Sequence, residues 1–234
     1  MDLSGWTPPP LPPRAALAGR YVRLEPLAPE HAPGLFAAFA EDAAGAMWRY
    51  LPVGPFADLA GYRAWLDGAR LLHDPLHFAI RMGDDRLGGT LSLMRMEPRA
   101  GAIETGWLTF APRLQRTRGA TEAVYLLMRW SFEAGYRRFE WKCDAANLPS
   151  RRAAERFGFS FEGVFRQAGV VKGRNRDTAW FAAIDGEWPA LRAAFDAWLD
   201  PANFDADGRQ RQSLAALTRP ILASRDPALA GGAG

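Results

Sequence analysis

Leu108-Thr109-Phe110-Ala111-Pro112-Arg113-Leu114-Gln115-Arg116-Thr117-Arg118-Gly119-Ala120-Thr121-Glu122-Ala123 is the stretch on which the reading of this chain turns. Alternating apolar residues end at Ala111-Pro112, where proline cannot extend a ladder, so Ala102 to Phe110 reads as a strand. A basic loop follows, and a helical pattern runs from Thr121 to Tyr136 with Gly135 as its stop. Backbone N–H groups at a helix start lack partners, and with the macrodipole they form an anion site that nearby arginines strengthen. A diphosphate suits such a place. An ordinary strand-to-helix connection capped by Thr121 is the competing reading.

Outward from this segment the pattern is alternately strand and helix. Upstream, Tyr21-Val22-Arg23-Leu24 alternates as a strand, Pro29 opens a helix through Phe39, and Asp58 caps a second through Leu72. His77 to Arg81 and Arg86 to Met96 flank Gly83-Asp84-Asp85 and predict a hairpin. Downstream, Arg138 to Cys143 is a short strand, and strand, loop, helix and strand in that order imply a parallel crossover. Asn147 starts a short helix through Phe157, closed by Gly158; Phe159 to Val170 and Thr178 to Ile184 form a last hairpin around a polar loop, Lys172 to Asp177; Trp188 to Leu199 is a final helix. Residues 1–19 read as a Pro-rich arm, 20–200 as the folded domain, and 201–234 as an extension expected to pack loosely and fray at its Ala/Gly end.

Composition narrows the functional classes. The 234 residues are 48% hydrophobic and 24% charged with a formal charge of +3, as in a soluble globular chain. Arginines nevertheless cluster at 113–118, 137–138, 151–156 and 166–176. Local basicity suits a small polyanion better than nucleic acid, which calls for a broader stripe and is not expected as a partner. Cys143 is the one cysteine, which excludes an intramolecular disulfide and multi-cysteine metal spacings. His73 and His77 are separated by Asp74-Pro75, so no shared helical face presents them and no metal is expected. No stretch approaches the roughly 20 apolar residues of a membrane helix, and the expected location is cytoplasmic.

The element order, Gln115-x-x-Arg118-Gly119-Ala120 before a helix, and Asn147-x-x-Ser150 leading to Phe157-Gly158-Phe159 resemble the GCN5-related N-acetyltransferase (GNAT) superfamily, in particular its ribosomal-protein N-terminal acetyltransferase branch, over roughly residues 20 to 185. The resemblance implies an α+β fold of three αβα layers, with a central mixed, mainly antiparallel sheet splayed where acyl-CoA enters. It implies direct transfer of an acetyl group from acetyl-CoA to a primary amine, either a protein N-terminus or a small molecule, with no metal. Cofactor contacts are carried to Leu108 and Phe110 on the strand, to Gln115, Arg116, Thr117, Arg118, Gly119, Ala120, Thr121 and Glu122 at the loop and helix start, and to Asn147. Arg118 stands where the family usually has glycine, so its guanidinium is a candidate phosphate ligand in its own right.

Two catalytic roles follow from the same resemblance. The tyrosine that serves many relatives as the acid is replaced by Ala154, and Ser150 is the candidate to donate to the departing thiolate, with helix capping as its structural alternative. An amine must be neutral to attack a thioester, and Glu104 is the candidate base, with a strand carboxylate paired to an arginine as the alternative. The loop from Lys172 to Asp177, and Trp48, Tyr50, Trp65 and Trp107, are candidate acceptor-site residues or, for the aromatics, core. Cys143 has no histidine in its half of the chain and reads as inert. A CoA-binding module without turnover would fit the Arg118 departure; it predicts binding without transfer. A homodimer through the C-terminal strand or helix is compatible with this layout.

Overall fold

The computed structural model describes residues 2–230. Among them eight strands form one open sheet in the order β1-β2-β3-β4-β5-β6-β8-β7, with β1 Leu17–Ala18, β2 Val22–Pro26, β3 Leu76–Met82, β4 Leu87–Glu97, β5 Ala102–Phe110, β6 Arg138–Asp144, β7 Ser160–Val171 and β8 Arg174–Ile184. Period-two alternation decides which side chains go where. Leu76, Phe78 and Ile80 of β3, Leu91 and Leu93 of β4, Ile103 of β5 and Phe139, Trp141 and Cys143 of β6 share one apolar cluster. Ala79, between Phe78 and Ile80, faces the opposite cluster.

Helices cover both faces, giving the three-layer αβα, mixed and mainly antiparallel arrangement that the sequence implied. On one side α1 (Ala32–Phe39) and α2 (Leu59–Ala69) bury Leu35, Phe39, Tyr62 and Leu66. Asp58 caps α2 by accepting from the Gly61 N–H at 2.8 Å. On the other side lie α3 (Arg118–Glu133), α4 (Leu148–Arg156) and α5 (Trp188–Leu199). The crossover through α3 makes β5 and β6 parallel, and every other neighbouring pair is antiparallel.

That parallel pair opens partway along. Pairing runs from Ala102↔Arg138 to Thr105↔Trp141 and stops there, although β5 continues to Phe110 and β6 to Asp144. On its other edge β5 carries a bulge, because Thr90↔Thr109 is followed by Ser92↔Gly106. The extra residue falls at Trp107, whose φ of 54° lies in the left-handed region. One edge of β5 is thus kinked where the other parts from β6.

Three expectations need correction. Thr117, not Thr121, caps α3: its Oγ1 accepts from the Ala120 N–H at 3.1 Å, so the helix starts at Arg118. The last hairpin turns at Lys172 and Gly173, with φ of 50° and 73°, and β8 begins at Arg174, so four residues expected in a loop are in a strand. Their side chains carry no apolar face, which hid the alternation. Residues 201–230 do not pack loosely. A sixth helix, α6 (Leu214–Thr218), buries Leu214 and Thr218, and Asp226 pairs with Arg151 in the interior. The terminal residues 231–234, expected to fray, lie outside the described residues.

Candidate active site

Between β5 and α3 the chain folds back tightly. The Leu114 and Gln115 N–H groups donate to the Ala111 carbonyl at 2.9 and 3.1 Å, and Thr117 N–H donates to Leu114 O at 3.2 Å. Arg116 takes a φ of 60°, a left-handed conformation held by a non-glycine residue. The Gln115 amide donates back to Phe110 O at 2.8 Å, tying the loop to the strand end. With Ala120 N–H taken by Thr117, the N–H groups of Arg118 and Gly119, at the first two helical positions, have no carbonyl one turn earlier to bond. Gly119 is required by packing: a Cβ there would lie 2.8 Å from Val22 Cγ1. This residue lets the helix start sit directly on β2.

A groove of about 1180 Å³ leads from this helix start into the gap between β5 and β6. Leu108 and Phe110 line its β5 bank; Trp141, Asn147 and Ser150 line the other. Gln115, Arg116, Thr117, Arg118, Ala120 and Thr121 line its phosphate-suited end. Asn147 caps α4, its Oδ1 accepting from the Ser150 N–H at 3.2 Å. Ser150 Oγ in turn accepts from Trp141 Nε1 at 3.0 Å, which leaves the hydroxyl proton to be donated elsewhere. Cys143 stands behind this pair, and burial pushes its thiol up to about 11, the character of an inert core residue.

Three expected residues are not on the groove wall. Gly119 lies behind its neighbours for the packing reason above. Glu122 points away: its carboxylate accepts from the backbone N–H groups of Arg20, Tyr21 and Val22 at 2.7, 2.6 and 2.9 Å. It pins the first long strand to α3, and Gly19 is what lets the chain lie over it, since a Cβ there would meet the carboxyl carbon at 2.4 Å. Glu104 is buried on the sheet face opposite α3, 3.0 Å from Lys142 Nζ and 3.4 Å from Arg95 Nε. Lys142 also bonds Glu140 at 2.6 Å and lies 3.6 Å from the Trp180 ring centre. Burial raises the Glu104 carboxyl above its ordinary value, and the Lys142 charge partly opposes this.

Tyr50, a candidate acceptor-site residue, lines the groove together with Asp42 and Met47, which escaped the sequence reading; all three come from the segment after α1, and Asp42 Oδ2 accepts from the Met47 N–H at 2.7 Å. Lys172, at the tip of the β7–β8 hairpin, donates to the carbonyls of Trp48 and Gly54 at 2.9 and 2.8 Å, bridging hairpin and segment. Trp48 and Trp65 belong to the core under α1 and α2, while Trp107 leans on Trp65 and His77, with ring centres 6.2 and 5.6 Å away. Arg156, Trp198, Phe204 and Gln210 complete the end nearest α3. At that end the arginine cluster at 151–156 was the sequence signal; Phe204 and Gln210 lie in a polar tail with no periodicity.

Among the described residues no group of three or more histidine, cysteine, aspartate or glutamate side chains is placed to hold a metal ion, and no helix is long and apolar enough to cross a membrane. Residues 22–160 match the model of the acetyltransferase (GNAT) domain. A GCN5-related N-acetyltransferase from Brucella melitensis is 49% identical, with 93% of this chain and 100% of that one covered at a TM-score of 0.91. A probable GNAT-family acetyltransferase from Chromobacterium violaceum is 45% identical over 81% and 96% of the two chains, at a TM-score of 0.76. RimL, a ribosomal L7/L12 α-N-protein acetyltransferase, is 25% identical over 75% and 99%, at 0.63. Comparison with curated protein sequences gives no match. A sheet parted beside an amide-bearing helix start, the domain match and these relatives together make the chain an acyltransferase that belongs to the GNAT acetyltransferase family.

Proposed function

We propose that this enzyme transfers the acetyl group of acetyl-CoA to a primary amine by direct attack within the gap between β5 and β6. The observation that carries the reading is the continuity of one groove from the start of α3 at Thr117 and Arg118 to the Ser150 hydroxyl. The amides and the helix dipole suit a pyrophosphate. Leu108 and Phe110 line the gap on a strand edge whose pairing with β6 has ended, and apart from the Phe110 carbonyl, which holds the Gln115 amide, their backbone polar groups suit an extended amide-bearing arm. The donor supplies an activated thioester; the chain supplies orientation and proton handling.

Ser150 is assigned the donor of a hydrogen bond to the departing thiolate. Its Oγ already accepts from Trp141, which leaves its proton available to donate. Glu104 lies off the groove wall, so it is assigned the final acceptor of the amine's proton through a water relay; burial raises its affinity for a proton and the ion pair with Lys142 holds it in place. Asp42 and Tyr50 line the same groove, and the Asp42 carboxylate and Tyr50 ring are suited to receive a cationic amine. The test is release of the CoA thiol from acetyl-CoA by the wild-type enzyme when peptides with free N-termini, polyamines, amino acids and aminoglycosides are offered. Amine-dependent release with acetylated product supports the proposal, and acetyl-CoA that binds without transfer to any of these classes would favour a binding module.

A further inference from the structure

We propose that the C-terminal segment around Phe204 and Gln210 joins Arg118 and Arg156 in a subsite for the phosphorylated adenosine end of acyl-CoA, with the two guanidinium groups holding its 3′-phosphate. This rests on the acyl-CoA reading above and adds a specificity to it.

Arg118 lies at the start of α3, and its guanidinium packs against two aromatic rings. It sits over the rings of Tyr21 and Phe204, 5.0 and 4.5 Å from their centres. Arg156 approaches from the far end of α4. Its guanidinium lies 4.9 Å from the Trp198 ring centre and donates to Thr121 Oγ1 at 3.1 Å, in the first turn of α3. Among the described residues neither arginine forms an ion pair with a carboxylate. Burial disfavours the charged form of Arg156. A half-buried cation without a counterion is costly, and an incoming anion removes that cost.

The position fits the far end of the donor rather than its thioester. Six residues separate Ser150 from Arg156 along α4, about 9 Å at the helical rise, so Arg156 stands well beyond the leaving-group end. The segment is prearranged. Phe204 bridges to Gln210, Trp198 Nε1 donates to Gln210 Oε1 at 2.8 Å, and Asn203 both accepts from Gln212 N–H at 2.9 Å and donates to its carbonyl at 3.0 Å. A phosphomonoester carries close to two negative charges at neutral pH, which two guanidinium groups match.

Calorimetric titration with CoA and with dephospho-CoA, which lacks only the 3′-phosphate, tests this on wild type, Arg156→Gln and Phe204→Ala. The wild type should bind CoA at least about tenfold more tightly than dephospho-CoA, and that ratio should approach one in Arg156→Gln and fall in Phe204→Ala. Equal wild-type affinities would overturn the inference, and that comparison needs no variant to fold. Arg156→Gln weakening both ligands alike would place Arg156 on the pyrophosphate and overturn it too. If the wild type binds neither, the acyl-CoA reading itself falls and takes the subsite with it.

Discussion

The Arg151 guanidinium and the Asp226 carboxylate form a buried two-pronged pair, Nε to Oδ2 and Nη2 to Oδ1, both at 2.6 Å. Arg151 follows Ser150 directly and also donates to the Ala145 carbonyl at 2.8 Å, so the C-terminal tail braces the helix that carries the proposed acid. Removing one partner strands a buried charge. Asp226→Ala should therefore cost about 3–5 kcal/mol in urea unfolding, whereas Arg151→Met with Asp226→Leu should recover most of that loss. A single-variant loss below about 1 kcal/mol would show that the tail is dispensable.

Glu122 was expected among the cofactor contacts and is instead a brace. Three backbone N–H groups converge on it, and Glu122→Ala leaves them unbonded, that of Val22 buried and those of Arg20 and Tyr21 partly so. The expected outcome is a stability loss of about 3 kcal/mol or more. Acetyl-CoA affinity measured well below the unfolding midpoint should change less than threefold. A large affinity loss in a fully folded variant would return Glu122 to the cofactor site.

His77 is buried between Trp65 and Trp107, its Nδ1 without a partner, and burial holds its pKa down to about 4. Between that value and the ordinary 6.5 the unfolded chain binds a proton that the folded chain refuses, so stability falls as pH drops through this window. The contribution is about 3 kcal/mol in all. Denaturation at several pH values should show this slope in wild type and a shallower one in His77→Gln. The same slope in both would remove His77 as its source.

Ser150 and Glu104 separate by their kinetic signatures. Ser150→Ala should lower kcat by about a hundredfold and leave acetyl-CoA affinity within threefold, because the hydroxyl acts on the leaving group. Glu104 must be ionised to take a proton, so kcat/KM should fall with decreasing pH, and burial puts that fall above the ordinary carboxylate value of 4.5. Loss of this acid limb in Glu104→Gln identifies the base. An unchanged pH profile would make Glu104 a purely structural partner of Lys142.

The layers and the strand-to-helix crossover were legible in the sequence because apolar alternation in β3, β4 and β5 and Asp58 at the start of α2 are local signals. The turn from β5 into α3 was legible for the same reason. Three features were not. Trp107 and Arg116 adopt left-handed backbone without glycine, so no residue type announces the bulge or the loop's turn. Arg174 to Asp177 pair in β8 with largely wet side chains and so carry no alternation. The tail is held by contacts across more than sixty positions, such as Arg151 with Asp226 at a separation of 75, which no local pattern encodes.

The central claim, that acyl-CoA lies between β5 and β6 with its pyrophosphate at the start of α3, is met most directly by thermal unfolding with and without about 1 mM acetyl-CoA. Binding to the native state alone raises the midpoint, by roughly RT ln(1 + [L]/Kd) in stability. The account predicts a clear upward shift in wild type, reduced in Gly119→Val, whose side chain would push the helix start off Val22. No shift in wild type at that concentration would contradict it.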